Sequence, residues 1–432
     1  MTLRQMVANV VQRTLGDMFP AYFQTSAKHD HFKDFGWPDQ LTFAQFYRMY
    51  RRNGLATAGV DKTIAKTWED NPELWESETP AESPLEGDIR KAFERLRLWH
   101  RFATADTRSM VGCYAGVILR LRDGLPFDAP VGRVAGGLEG LAEVIPVWES
   151  QLTVAEWDAD PRSETYGQPR FYQFNESALG GTSKSPRQFR VHPDRVIIWS
   201  DDGTVNGVSA LEPGYNDLLD AEKIKGAGGE GFWKTSRGAP VVGAPEGMTQ
   251  ADVAKAMGVS PAELVDALND QLESFQAGFD KGLMLGGMTA VPMTISLPSP
   301  EHFFAAPVQS FAASLLMPLR VLIGNETGER ASTEDAREWN KTCMARRTTR
   351  NVPLIREFVE RLVRFGILPE RDWTIGWADL TEATGAEKME RARGMAEINS
   401  KTPMEPVFTD DEIRETVGYD PLATRDDDGE GE

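Results

Sequence analysis

Between Pro261 and Gly282 the sequence sorts its side chains into two opposed stripes, and few folds can use such a segment. At roughly 100° per residue, Leu264, Leu268, Leu272, Phe275 and Phe279 fall on one side of a helix. Glu263, Asp266, Asp270, Glu273 and Asp280 fall on roughly the opposite side, offset only by Lys281. Ser260 supplies an N-cap and Pro261 a preset first helical residue. One use for the acidic face is plain solvation. The sharper use is a ring of such helices with the acids turned to a lumen. A negative wall there repels the phosphates of a duplex, so DNA slides past without fixed contacts.

The remaining composition fits that use and excludes others. The chain has 432 residues, 41% of them hydrophobic, enough for a sizeable core in about two or three domains. No apolar run is long enough to cross a membrane, and the first residues carry no signal-peptide pattern, so cytoplasmic synthesis and no membrane partner are expected. With only Cys113 and Cys343, there is no disulfide framework. The net charge of −19, from 66 acidic against 47 basic residues, excludes a tight nucleic-acid binder, which needs basic surface to displace counterions.

Along the chain, helical spacing is expected over Phe43–Arg51, Val60–Trp68 and Gly87–Thr107, with an acidic, Pro/Ser-rich loop from Glu69 to Gly87. Residues 110–121 read as a buried strand or a helix end. Short strands broken by turns fill 138–199, as in an antiparallel sheet. A helical half follows from Leu211. Four glycines between Gly226 and Gly231 are expected to interrupt or loosen its first helix. Helices are expected again at His302–Leu316, Thr333–Phe365 and Ala386–Asn399, with an extended stretch over 286–300, a short strand at 373–377 and an acidic, disordered tail.

No phosphate-binding loop, dinucleotide fingerprint, zinc-protease motif or nucleophile elbow is present. His192, Asp194, Asp201 and Asp202 could assemble a metal-dependent hydrolase, the alternative reading, although a histidine beside a proline turn is more often structural. His29 and His31 lack a partner cluster. Ala251–Leu264 has helix-turn-helix spacing, but its second helix would present Glu263, Asp266 and Asp270 to phosphates. Arg346, Arg347 and Arg350 form a basic cluster expected to pair with carboxylates, with a subunit interface as one place for that pairing.

The order of elements resembles a known family. Met317–Ser332 is similar to the Pro-x-x-x-Leu-x-Gly-x-x-x-Gly-x-x-Ala-Ser segment of tailed-phage portal proteins, in the branch labelled anti-CBASS Acb1-like. Asp335, Trp339, Arg346-Arg347, the run His192–Ile197, the run Gly229–Lys234 and Trp377–Leu380 continue the likeness, which spans Tyr50 to Ile398. The resemblance implies an α+β portal-like fold, assembled as a ring usually of twelve copies, with no catalytic residues and no cofactor. It implies an N-terminal arm (1–47), a mixed α/β wing (48–208 and 283–380), a helical stem (209–237 and 261–282), a short clip (238–260), a helical crown (381–418) and the acidic tail (419–432). Glu263, Asp266, Asp270, Glu273 and Asp280 would line the channel. Gly286, Gly287, Asn325, Glu326, Thr327 and Gly328 are candidates for a loop that meets DNA. Arg346, Arg347, Arg350, Phe275 and Phe279 are subunit-interface candidates. The implied partners are the terminase large subunit, a head–tail adaptor, the major capsid and scaffold proteins, and double-stranded DNA in transit without sequence specificity. The implied location is the portal vertex of the virion capsid, after assembly in the host cytoplasm, and the implied roles are genome packaging, head–tail joining and DNA ejection.

Overall fold

The computed structural model describes residues 30–76, 83–179, 185–236, 240–243, 247, 249–276, 289–292, 300–324, 329–382, 385–401 and 406–420. Three short helices open it: α1 (His31–Phe35), α2 (Phe43–Arg52) and α3 (Gly54–Thr67). Asn53 joins the last two. Its side chain accepts from Leu55 and Ala56 N–H, so one residue ends α2 and caps α3. Strand β1 (Glu73–Trp75) precedes α4 (Pro84–Leu96) and α5 (Leu98–Val111). The single helix expected over 87–107 is two, because Arg97 takes a left-handed conformation at φ 51° and breaks the ladder between them.

Six strands follow, all paired antiparallel as the turn spacing predicts: β2 (Ala115–Leu121), β3 (Leu141–Trp148), β4 (Leu152–Trp157), β5 (Pro169–Asn175), β6 (Gln188–Val191) and β7 (Val196–Trp199). They form two three-stranded sheets of order β3-β2-β7 and β4-β5-β6. Alternation along β2 divides the core. Val117 and Leu119 face a cluster with Phe93, Phe102, Trp199 and Phe358, whereas Ile118 joins Val147, Leu152, Tyr172 and Phe174 in a second cluster. Gly116 lets the second sheet approach, since a Cβ there would lie 2.3 Å from Leu152 Cδ2.

The helical half comprises α6 (Tyr215–Ser236), β8 (Pro240–Gly243), α7 (Gln250–Met257), α8 (Leu264–Gln276), β9 (Thr289–Pro292), α9 (Pro300–Ser314), α10 (Leu319–Ile323), α11 (Glu329–Arg346), a π-helical turn (Arg347–Asn351), α12 (Val352–Arg364), β10 (Thr374–Gly376), α13 (Gly385–Lys401) and α14 (Asp410–Val417). Strand β10 returns to pair with β1, Leu74 opposite Ile375. A third apolar cluster gathers Phe46, Val60 and Ile64 with Leu218, Phe311, Leu322 and Trp339.

The glycine-rich stretch does not interrupt α6, which runs unbroken through Gly226–Gly231. Each glycine costs about 1 kcal/mol against alanine, and burial of Leu218 and Ala221 at the proximal end anchors the helix against that cost. An added Cβ at Gly226 or Gly229 would meet nothing within 4 Å. Gly226→Ala and Gly229→Ala are therefore each expected to stabilise the isolated chain by about 0.5–1 kcal/mol, read as a higher denaturant midpoint.

Candidate functional site

Two helices of the helical half lie side by side. Gly214 packs under Phe311 and Ser314, and Ser310 Oγ donates to Asp217 at 2.8 Å, so α6 and α9 run antiparallel. Leu218 and Ala221 face Val308, Phe311 and Ala312 in the seam. Pro307 inside α9 removes one intrahelical donor. The chain between the two helices carries β8 and β9, paired with Val241 opposite Val291, and a compact pair formed by α7 and α8. The expected stem partner of α6 was the helix over 261–282. Among the described residues, the helix packed along α6 is α9, and α8 instead packs on α7.

That pair is built by caps and a small core. Thr249 and Asp252 form a capping box at the start of α7, and Gly258, at φ 72°, ends it. Ser260 Oγ donates to Glu263 at 2.8 Å, which holds the Glu263 carboxyl below its ordinary range. The helix thus opens at Leu264, three residues later than expected, after a turn over 261–263. Leu264 is buried against Val253 and Ala254, with Leu268 behind it, while Glu263, Asp266 and Asp270 are exposed. The separation of apolar and acidic faces read from spacing is therefore present over this length. Glu273 and Phe275 lie within α8, but their side chains are outside the description. Asp280, Phe279, Gly286, Gly287, Asn325, Glu326, Thr327 and Gly328 lie outside the described residues altogether.

The flanks of the 325–328 candidate loop are fixed. Lys62 Nζ donates to the carbonyls of Val321 (2.6 Å) and Leu322 (3.0 Å) at the end of α10. Arg320 and Asp335 approach to 3.9 Å across the gap. Leu316, joining α9 to α10, is 73% exposed and left-handed at φ 52°, a conformation that costs a β-carbon residue roughly 1–2 kcal/mol.

The three arginines expected at a subunit interface are engaged inside the chain. Arg347 is completely buried. It donates to Thr67 O and Ala378 O, both at 2.7 Å, pairs with Asp70 at 2.5 Å and stacks 4.7 Å over Trp377. Arg346 pairs with fully buried Asp106, which also accepts from Trp68 Nε1 (2.9 Å), Trp199 Nε1 (3.2 Å) and Asn351 Nδ2 (3.2 Å). Arg350 pairs with Asp201. A buried guanidinium needs a carboxylate close by, and these carboxylates belong to the same chain. Sequence spacing gave no signal for Asp106, whose neighbours in the chain are apolar or hydroxylic.

The residues of the hydrolase alternative do not converge. Asp194 N–H donates to His192 Nδ1 at 3.2 Å, so that nitrogen is an acceptor, and burial lowers the His192 pKa. Asp194 accepts from Val131 N–H at 3.0 Å and from Arg364 at 2.6 Å. Asp202 closes its own turn by accepting from Thr204 N–H at 2.8 Å. The two pairs lie beyond opposite ends of β7, a strand of four residues and thus about 13 Å. Among the described residues no group of three metal-capable side chains gathers. His192→Ala is expected to loosen this turn by about 1 kcal/mol and to leave any hydrolytic background unchanged in a metal-supplemented assay.

Residues 44–401 match the family model described as phage portal protein. The chain belongs to the phage portal protein family. One solved structure agrees with the fold. A chain in the neck of an empty gene transfer agent particle, computed with C6 symmetry, superposes with a TM-score of 0.51 at 14% identity, covering 89% of this portal chain and 95% of that one. A chain in the virion of a native gene transfer agent particle gives a TM-score of 0.49 at 15% identity, with the same coverage of both chains. No curated protein matches the portal chain.

Proposed function

We propose that this portal protein forms the ring-shaped DNA channel at one capsid vertex, usually of twelve copies, and acts as a conduit with no catalytic residues. The observation that carries the reading is the antiparallel α6/α9 pair with the β8/β9 and α7/α8 elements at its tip. In a lone chain that pair leaves Phe232, Trp233 and Phe303 at 70%, 56% and 59% exposure, a pattern suited to helices that acquire their other neighbours on assembly. Family membership supports the same reading. The stem then consists of α6 and α9 in place of 261–282, and the clip extends over 237–299 to include α8. The wing is the sheet-bearing body with α11 and α12, and the crown is α13 with α14.

The acidic face of α8 sits in this clip, at the narrow exit where DNA meets the motor. Glu263, Asp266, Asp270 and Glu273, repeated around the ring, keep phosphates from binding. Of the two candidates for touching DNA we favour 325–328, because its flanks are fixed by Lys62 and by Arg320–Asp335. The clip would receive the terminase large subunit during packaging and the head–tail adaptor afterwards. The wing would meet major capsid and scaffold proteins after assembly in the host cytoplasm. The Met317–Ser332 pattern supports the Acb1-like branch. Imaging particle vertices with the chain tagged at its C-terminus tests the function. Density for the tag at a single vertex, and empty heads when the chain is withheld, are expected. Filled heads without it would end this reading.

A further inference from the structure

Most arginines of this acidic chain are paired with a carboxylate, among them Arg95, Arg187, Arg195, Arg361 and Arg364. Four arginines without such a partner gather on one surface. Arg48, Arg51 and Arg52 are exposed on α2, and Arg108 of α5 lies beside them through the aromatic groups they share. Arg51 lies 5.9 Å from the Tyr47 ring and Arg108 lies 5.3 Å from the Trp148 ring. Tyr47 and Trp148 meet edge-on at 5.1 Å. None of the four arginines has an ion-pair partner among the described residues. Glu149, next to Trp148 in the chain, is turned inward and accepts from Cys113 N–H at 2.6 Å, and Asp61 accepts from Tyr50 Oη at 2.8 Å. Arginine, tyrosine and tryptophan without lysine is the composition of a protein-binding hot spot, whereas a phosphate-tracking surface would also use lysine.

The charge complement is on the same molecule. Strand β1 and the approach to β10 carry Glu73, Glu370 and Asp372, all exposed and without an ion-pair partner among the described residues, beside Trp75 at 41% exposure. The two surfaces lie at opposite ends of α3. Arg51 and Arg52 adjoin its N-terminus at Asn53, and its C-terminus leads into β1. Fourteen residues of helix separate them by about 21 Å. A basic face at one end and an acidic face at the other cannot meet within one chain, but they can meet head to tail between copies, which is the contact type that closes a ring.

We propose that the α2 arginine–aromatic face of one copy docks on the β1/β10 acidic ribbon of the next, an inference that rests on the ring reading above. The contact sets the handedness and register of assembly through charge, and the rings loosen as salt rises past about 0.5 M. The test compares wild type with R51E/R52E, with E73K/D372K and with the quadruple variant, by native mass measurement of the full chain at equal concentration and salt. All substitutions are on exposed side chains, and circular dichroism checks that each variant is folded. Each double variant is expected to raise the concentration needed for rings by about tenfold or more, and the quadruple, with both charges exchanged, to recover. Double variants that assemble like wild type would overturn this contact and leave the ring intact. Loss without recovery in the quadruple would overturn the pairing. A wild type that stays monomeric at every concentration, and is absent from particle vertices, would sink the ring reading itself.

Discussion

Asp106→Ala is expected to cost the fold about 3–5 kcal/mol. Asp106 has no exposed surface, and four donors from three other parts of the chain converge on it: Arg346, Trp68, Trp199 and Asn351. Truncation leaves the Arg346 guanidinium, 11% exposed, without a counter-charge. Its Nε already lacks a partner, and the unpartnered Asn351 Oδ1 and Thr67 Oγ1 are neutral acceptors that supply no counter-charge. Asp106→Asn keeps shape and loses charge, for an expected cost of about 1–3 kcal/mol. D106L/R346M should recover most of the loss, because replacing both members of a buried pair with apolar groups is close to neutral. Denaturant midpoints at constant m-value check all three. Equal midpoints for D106A and wild type would mean that the polar junction contributes nothing to stability.

Converting Glu263, Asp266, Asp270 and Glu273 to lysine is expected to leave rings intact and to slow genome packaging by roughly tenfold or more, with the deficit relieved by salt because each lysine–phosphate contact weakens as counterions compete. Asp266 sits in the opening turn of α8 and Glu263 just before it, where acids favour the helix dipole and Glu263 also meets Ser260. Lysine at those two positions therefore also weakens the helix start by roughly 1 kcal/mol. D270K/E273K separates the effects, since both positions lie past that turn. Packaged DNA length per head, measured at two salt concentrations, reports the outcome. Full heads at the wild-type rate would show that the acidic face looks away from the duplex.

Periodicity located most elements because it records local burial. Helix α2, the antiparallel strands of 138–199 and the amphipathic helix α12 were legible for that reason. What failed was non-local or cumulative. Arg97 breaks a helix although nothing in its identity requires it, and the pairing of β1 with β10 joins residues 300 positions apart in the chain. The glycines of α6 looked prohibitive one by one, but the helix is anchored by a partner, α9, whose place beside it no spacing rule reveals. The acidic stripe of α8 is present at Glu263, Asp266 and Asp270, but the helix that carries it packs on α7 and not along α6. Amphipathicity states that a face is covered and does not state by what. The arginine trio shows the same gap: carboxylate partners were expected, but Asp106 lies 240 residues from Arg346.

The π-helical turn between α11 and α12 has a geometric consequence. Pro353 has no N–H to give Thr349, and Val352 N–H instead reaches the carbonyl of Arg347, five residues back. The widened turn holds one residue more than an α-helical one, so it offsets the rotational phase of everything N-terminal to it by roughly 100°. Arg346 and Arg347, at the junction of α11 with that turn, pair with Asp106 and Asp70. The same extra residue aims the start of α11, where the chain emerges from the 325–328 segment. A proline some 25 positions away thus fixes the bearing of the strand of chain that enters the helix, and dropping one residue from 347–351 would swing that bearing while leaving the length and composition of the protein almost unchanged.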